Sequence, residues 1–169
     1  MSQAVSTKEN LAEIYQQKTD IEHSLDAPDT YIGPIDSDNI KYWTLDDENN
    51  IVYKDYDFIG GLYKLFDEGI VNCRDHVIRL EQKKKNKEKN IVSVTEISIS
   101  VDRTTGIITM YNDGNGIDVA KHPENDLWIP EMIFGHLRTS TNYNKDEKKI
   151  VGGKNGFGFK LVLIYSKWG

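Results

Sequence analysis

The spacing of apolar residues along the chain predicts several helices with strands between them. The clearest helix runs from Gly61 to Leu80, where the apolar residues follow the 3.6-residue period: Leu62, Leu65, Phe66, Ile70, Cys73, Val77 and Leu80. Residues 11–25 predict a shorter helix. It should end within residues 26–29, because Pro28 cannot extend a helix.

A period of two residues marks strands in the second half of the chain. Residues 97–101 alternate apolar with polar side chains, and a turn at 103–106 leads into a returning strand at 107–112. Residues 36–57 hold only strand-like fragments, and we interpret them as a polar loop or a hairpin.

The remaining segments are predicted to be helices and loops. Pro130 suits the first turn of a helix through about Leu137, and an apolar helix should follow the glycine-rich segment 152–160. Residues 83–89 are rich in lysine and are interpreted as a solvated loop rather than a nucleic-acid contact. The order helix–strand–strand–helix–helix predicts an α+β fold, a two-layer sandwich with one layer of sheet under one layer of helices.

The composition is that of a globular domain, with 169 residues, 38% of them apolar and 28% charged. No apolar run approaches the roughly 20 residues that a membrane span needs, and the first residues lack a secretory signal. We therefore expect a soluble intracellular domain with no membrane partner. Cys73 is the lone cysteine, which excludes an internal disulfide. The net charge is −6, and the excess of acidic residues lies in the first 79 residues. Because the rest of the chain is net positive, we expect any bound anion to contact residues 80–169.

One edge of the central helix carries the first chemical hint. At 100° per residue, four polar residues fall within an arc of about 60° beside the apolar stripe: Glu68, Asn72, Asp75 and Arg79. A carboxylate and an amide at the margin of a core face are placed to look into a pocket.

Two glycine-rich segments, 112–116 and 152–160, can bring backbone N–H groups close to an anion. The second also precedes a helix, whose N terminus favours negative charge. It is not a P-loop, because Phe159 occupies the lysine position, and it lacks the third glycine of a Rossmann fingerprint at Leu161. A plain structural turn remains the alternative for such a segment.

The order of these features resembles the GHKL (Bergerat-fold) ATPases. More specifically, the chain is similar to the N-terminal ATPase domain of eukaryotic-type or viral-type DNA topoisomerase II, a type IIA enzyme. The blocks that carry this similarity are Tyr31-Ile32-Gly33, Leu62 to Asp75, Ile129 to Leu137, Thr139 to Tyr143, and Gly152 to Gly158.

The resemblance implies roles for three polar residues. Glu68 would be the general base that orients the attacking water, and Asn72 would hold Mg²⁺ through its side-chain oxygen. Asn112 would accept a hydrogen bond from the adenine amino group. Asp113 is expected to cap or brace the turn, with a contact to the nucleotide as the second choice. Without the resemblance, a surface carboxylate, a solvated helix residue and a turn residue are the alternatives.

The resemblance also implies contacts with the rest of the nucleotide. Ser140, Thr141 and Asn142 match a segment that touches ribose and phosphate. The glycine-rich segment would enclose the triphosphate with backbone donors and a lysine charge. Its residues are Gly153, Lys154, Asn155, Gly156, Phe157, Gly158, Phe159 and Lys160. The expected cofactors are ATP and Mg²⁺.

The resemblance divides the chain into an N-terminal arm, residues 1–35, and part of an ATPase domain, residues 36–169. In a homodimer the arm would cross to the partner protomer, and Tyr15 is the residue expected to reach across. Packing of the arm on its own domain is the alternative. The implied function is the ATP-hydrolysing gate of a DNA topoisomerase, which passes one duplex through a transient double-strand break in another. A non-catalytic nucleotide-binding or dimerisation module is the alternative function.

The chain does not include the segments that carry the DNA-cleaving tyrosine and the transducer lysine in this family. We therefore expect DNA to bind mainly through other parts of the protein, and residues 1–169 alone to hydrolyse ATP poorly. The expected location is the nucleus, or a viral replication compartment in the cytoplasm.

Six residues depart from the family pattern without removing a catalytic group: Gly69, Cys73, Arg74, His76, Phe159 and Leu163. Phe159 stands where alanine is usual, and its ring needs a compensating space near the phosphates. His76 replaces an asparagine. Gly69 lies in the middle of the central helix, at a cost of about 1 kcal/mol relative to alanine.

Overall fold

The computed structural model describes Tyr15, residues 17–137, Thr139 and residues 157–169. In chain order its elements are helices α1 (Asp20–Asp26) and α2 (Pro28–Tyr31), strands β1 (Asp38–Leu45) and β2 (Ile51–Phe58), helix α3 (Gly60–Lys85), strands β3 (Ile97–Asp102) and β4 (Ile107–Asn112), and helices α4 (Ile129–Gly135) and α5 (Gly158–Tyr165). The mixture of helices and strands confirms the predicted α+β class. None of the helices described is long and apolar enough to cross a membrane.

The strands pair as two antiparallel hairpins. In the first, Asp38 lies opposite Phe58 and Leu45 opposite Ile51, so residues 36–57 belong to a hairpin rather than a loop. In the second hairpin, Ile97 is the partner of Asn112. Within the described ranges the two hairpins are separate sheets, so the continuous sheet layer that the sequence predicted is not formed by these strands alone.

Helix α1 begins later than predicted because Thr19 caps it. The Thr19 hydroxyl accepts a hydrogen bond from the Glu22 N–H at 3.2 Å, and the Glu22 carboxylate accepts one from the Thr19 N–H at 2.8 Å. This capping box fixes the helix start at Asp20, so the prediction of helix was wrong for residues 17–19. Pro28 ends α1 as expected, but it also occupies the first turn of α2.

Helix α3 extends five residues beyond the predicted Leu80. Its last turn contains Lys83, Lys84 and Lys85, so the interpretation of residues 83–89 as a loop was wrong for the first three. Cations at this position interact favourably with the negative end of the helix dipole. Helix α4 ends two residues before the predicted Leu137.

Packing is centred on α3, which contacts both β4 and α5. Cys73 and Leu80 of α3 are buried, and so is Leu161 of α5. Leu62 belongs to the predicted apolar stripe but is 56% exposed, because it lies in the first turn of α3, away from these contacts.

The described part of residues 1–35 packs on its own chain. The Tyr165 hydroxyl of α5 donates a hydrogen bond to the backbone carbonyl of Ser24, which is fully buried. The ring of Tyr31 lies 5.7 Å from that of Phe157. For residues 17–35, these contacts fit the alternative that the arm packs on its own domain. Tyr15 is 76% exposed, and its predicted reach to a partner protomer stays a prediction.

Gly69 allows β4 to approach α3 closely. A Cβ atom at this position would lie 2.3 Å from the sulfur of Met110 and 2.9 Å from its terminal methyl group. The absence of a side chain therefore creates the space that the Met110 thioether fills, which gives the mid-helix glycine a packing role.

The turn after β4 is tied to the segment that precedes β3. The Asp113 carboxylate accepts hydrogen bonds from the Thr95 N–H at 2.7 Å, from the Thr95 hydroxyl and from the Glu96 N–H at 2.9 Å. These bonds, with the Thr95 hydroxyl first, lower the pKa of Asp113. Gly114 has a φ of 90°, which favours glycine. The geometry fits the expectation that Asp113 braces the turn.

We predict that Gly69→Ala changes stability according to the residue at position 110. Alanine improves helix propensity by about 1 kcal/mol, but its Cβ must displace the Met110 thioether, so the two effects should nearly cancel. In a Met110→Ala background no thioether is displaced, and Gly69→Ala should stabilise by about 1 kcal/mol. Denaturant unfolding of the four proteins measures this coupling. Gly135→Ala, with nothing near its added Cβ, is the control; equal effects of Gly69→Ala in both backgrounds would contradict the packing role.

We predict that Asp113 makes stability depend on pH in acid. Because its folded pKa is lowered, its contribution is fully present above the unfolded pKa and is lost as the pH falls through the folded pKa. The stability gap between the wild type and Asp113→Asn should therefore be largest above about pH 4 and shrink below it. Urea unfolding at several pH values measures the gap. Thr95→Val removes the donor with the largest effect and should weaken this dependence; a gap independent of pH would refute the brace.

Candidate functional site

A cavity of about 470 Å³ opens between α3, the end of β4 and the start of α5. The four polar residues predicted to share an edge of α3 all line it: Glu68, Asn72, Asp75 and Arg79. The helical-period argument that placed them on one pocket wall is therefore confirmed. Asn112 lines the cavity from β4, and residues 157–160 line it from the start of α5.

Glu68 lies beside the start of α5. Its Oε1 atom pairs with the Lys64 ammonium at 2.5 Å, one helical turn earlier, and this hydrogen bond raises the pKa of Lys64. Its other carboxylate oxygen is 3.2 Å from where a Cβ on Gly158 would stand. The carboxylate is thus oriented by a cation on one side and faces the glycine-rich helix start on the other. The i−4 spacing of Lys64 was the available sequence signal, and it was missed.

Asn72 follows Glu68 by one turn on the same wall. Its side-chain nitrogen donates a hydrogen bond to the Glu68 backbone carbonyl at 2.6 Å. Because the nitrogen makes this bond, the amide oxygen is the atom left to meet a ligand. Amide oxygens are among the hard ligands that Mg²⁺ accepts, so Asn72 fits a magnesium ion that takes its other ligands from phosphate and water. In the part of the chain that the structure describes, no three His, Cys, Asp or Glu residues cluster to hold a metal alone.

Asn112 ends β4 on the opposite wall. Its side-chain nitrogen donates to the Asp113 backbone carbonyl at 3.0 Å, which leaves its side-chain oxygen as a hydrogen-bond acceptor. An acceptor here can receive a hydrogen bond from an exocyclic amino group. The same wall includes Met110, Gly116 and Ile117, which provide apolar surface beside the acceptor.

Lys160 lies in the cavity wall with only 6% of its surface exposed. Its ammonium donates to the Thr139 backbone carbonyl at 2.5 Å, and burial lowers its pKa. The lysine therefore joins the start of α5 to the segment after α4. The contact with Thr139 was not predicted.

The ring of Phe159 has the compensating space that the sequence required. It packs edge-to-face on Phe134 of α4 at 5.9 Å between ring centres. A Cβ on Gly69 would lie 3.7 Å from its edge, so the same glycine that admits Met110 also leaves room for this ring. Phe134 was not among the predicted site residues.

Several predicted residues lie outside the described part of the chain: Ser140, Thr141, Asn142, Gly153, Lys154, Asn155 and Gly156. Of the predicted set, the structure brings together around one cavity Glu68, Asn72, Asn112, Phe157, Gly158, Phe159 and Lys160. It also adds His76, which lines the same cavity.

Comparison with known proteins finds relatives along nearly the whole chain. The DNA topoisomerase 2 of Acanthamoeba polyphaga mimivirus is 44% identical over 170 aligned residues, which cover 98% of this chain and 13% of that protein. The DNA topoisomerase 2 of Drosophila melanogaster is 41% identical over 158 residues, covering 93% of this chain and 10% of that protein. The chain thus spans a small part of the length of these relatives.

Solved structures agree with the sequence relatives. The ATPase region of Saccharomyces cerevisiae topoisomerase II superposes with a TM-score of 0.76 at 38% identity, over 92% of this chain and 38% of that one. The ATPase and transducer domains of DNA topoisomerase II from Balamuthia mandrillaris give a TM-score of 0.76 at 41% identity, over 92% and 37% of the two chains. No family model matches the chain. From its relatives and its fold, the chain belongs to the DNA topoisomerase II family and corresponds to part of the ATPase region of that family.

Proposed function

We propose that this chain binds and hydrolyses ATP with Mg²⁺ as part of the ATP-operated gate of a type IIA DNA topoisomerase. The observation that carries the proposal is a single cavity lined by Glu68, Asn72 and Asn112 and by the glycine-rich start of α5. Its relatives are DNA topoisomerases, and its structural neighbours are ATPase regions. The proposal assigns one part of the nucleotide to each wall.

The base would lie against the β4 wall. The Asn112 side-chain oxygen can accept from the adenine amino group, and the apolar surface of Met110 and Ile117 suits the face of a planar base. Ser140, Thr141 and Asn142 are proposed to contact the ribose and phosphates, as the sequence resemblance implies.

The phosphates would lie between α3 and the start of α5. Asn72 would be a ligand of Mg²⁺, which when bound neutralises charge on the phosphate oxygens. Residues 153–160, from Gly153 to Lys160, are proposed to surround the triphosphate with backbone donors and the Lys160 charge. The close approach of Gly158 to the carboxylate supports this, because it brings the helix start and Glu68 to the same end of the cavity.

Glu68 would act on the water that attacks the terminal phosphate. A carboxylate can accept a hydrogen bond from that water and align it with the bond to be broken. The ion pair with Lys64 holds one carboxylate oxygen, which leaves the other, on the Gly158 side, to contact the water.

Dimerisation and DNA transport are proposed for the protein in which this region works. The first 35 residues would contribute to a homodimer contact, and the duplex would be held mainly by other domains. In that setting, nucleotide binding closes the gate and hydrolysis resets it. A nuclear location, or a viral replication compartment, would place the gate beside its DNA.

We predict that Glu68→Gln lowers the rate of ATP turnover by about 10²- to 10⁴-fold, because an amide cannot accept the proton of the attacking water. ATP binding should change little, since the amide keeps the shape of the side chain. Turnover and binding are measured in the full gene product with Mg²⁺. Asp67→Asn is the matched control: this neighbouring carboxylate is 4.0 Å from Lys64 and is not a cavity residue. Unchanged turnover in Glu68→Gln would favour the non-catalytic module.

We predict that Asn72→Ala raises the Mg²⁺ concentration needed for tight ATP binding by about tenfold, because a metal ligand is lost. ATP binding without Mg²⁺ should change much less. Titration of ATP at several Mg²⁺ concentrations separates the two effects. Asn86→Ala, at the exposed end of the same helix, is the control. An equal loss with and without Mg²⁺ would exclude Asn72 as a metal ligand.

A further inference from the structure

A hydrogen bond joins helix α3 to the turn after β4 at one end of the cavity. His76 lies on α3 one turn beyond Asn72 and lines the cavity. Its Nε2 atom is 2.5 Å from the backbone carbonyl oxygen of Asn115, 39 residues further along the chain. The contact is partly buried, so water competes with it less than at an open surface.

The partners of the ring determine which nitrogen donates. The Asn115 carbonyl can only accept a hydrogen bond, so Nε2 must carry the hydrogen. On the other side of the ring, Nδ1 lies 3.5 Å from a guanidinium nitrogen of Arg79, which can only donate. A hydrogen on Nε2 and a lone pair on Nδ1 suit both neighbours, and this arrangement aims a donor at the turn.

The same turn is fixed on its opposite side by the segment before β3. Asn115 exchanges two hydrogen bonds with Val92, one through its backbone N–H at 3.1 Å and one through its side-chain oxygen at 2.5 Å. Asp113 is bound to Thr95 and Glu96. The turn is therefore held between this segment and α3, and His76 supplies the bond from α3.

Asn112 depends on the position of this turn. Its side-chain nitrogen is bound to the Asp113 carbonyl, so the direction of its side-chain oxygen follows the backbone of the turn. A shift of the turn away from α3 would move this acceptor relative to Glu68 and Asn72, which α3 holds.

We infer that His76 is a positioning residue for base selection: through Asn115 it sets the distance between the base acceptor, Asn112, and the α3 wall. The inference rests on the proposed function, in which Asn112 accepts from the amino group of adenine. It assigns base selectivity to a residue that the sequence presents only as a departure from the family pattern.

The test compares His76→Leu, which removes the donor, with His76→Gln, whose amide nitrogen can replace Nε2. Binding of ATP and of inosine triphosphate, which lacks the exocyclic amino group, is measured with Mg²⁺. His76→Leu should weaken ATP binding by about three- to tenfold, the effect of one hydrogen bond, and leave inosine triphosphate binding unchanged. His76→Gln should restore the preference for ATP. Equal weakening for both nucleotides, or no rescue by glutamine, would overturn the inference.

An Asn112→Ala background shows whether His76 acts through Asn112. In that background His76→Leu should cause no further loss of ATP affinity, because the acceptor that it positions is gone. A loss of the same size in both backgrounds would mean that His76 acts on the nucleotide by another route, and would refute the inference. Unfolding midpoints of all variants identify any general loss of structure.

Amide hydrogen exchange in the nucleotide-free chain distinguishes failure of this inference from failure of the proposed function. His76→Leu should speed exchange at residues 113–116, and His76→Gln should not. Unchanged exchange in His76→Leu would overturn the positioning role even if ATP binds. Failure of the wild-type chain and full gene product to bind ATP would overturn both the proposed function and base selection, whereas the exchange result would still decide whether His76 holds the turn.

Discussion

The site depends on the close approach of two other elements to helix α3 at Gly69 and Glu68. Gly69 lacks the Cβ that would collide with Met110 of β4, and it leaves room for the edge of Phe159 at the start of α5. A mid-helix glycine costs about 1 kcal/mol relative to alanine, and the packing of these two side chains offsets that cost. One helix position therefore controls both the separation of the cavity walls and the stability of their contact.

Sequence patterns predicted the elements whose residues repeat over many positions. Helix α3 and the strands of the second hairpin were identified because their periods are set by local geometry. The start of α1 was missed although Thr19 and Glu22 form a recognisable capping box, and the lysines after Leu80 were assigned to a loop although cations suit a helix end. Pairing between hairpins depends on contacts distant in the chain, so the predicted single layer had no local signal to support or exclude it.

In the candidate site, too, some features could be predicted from local sequence patterns and others could not. The shared wall of Glu68 and Asn72 follows from helical spacing, so the sequence alone could place these side chains together. The bond from His76 to Asn115 spans 39 residues and ends on a backbone atom, which no side-chain pattern reveals. The hydrogen bond from Lys160 to the Thr139 carbonyl was not predicted for the same reason, because its acceptor is also a backbone atom. Which backbone carbonyls a side chain contacts is determined by the tertiary fold. These contacts in turn orient the site residues that the sequence motifs identify.

Charge in the cavity explains why a net-acidic chain can be suited to a polyanionic nucleotide. The ammonium of Lys64 is paired with Glu68, and that of Lys160 is bound to the Thr139 carbonyl. The carboxylate of Glu68 offsets the charge of Lys64, whereas Lys160 is bound to a neutral carbonyl and keeps its charge. In the proposed complex the phosphate charge is therefore met by Lys160 together with Mg²⁺ and backbone N–H groups at the start of α5. The contributions of Mg²⁺ and of the N–H groups depend on distance. The metal can bind only if the Asn72 side-chain oxygen lies near the phosphates, and the N–H groups can donate only because Gly158 has no side chain to keep the phosphates away. Local geometry, rather than the overall charge of −6, therefore determines whether the cavity accepts the triphosphate.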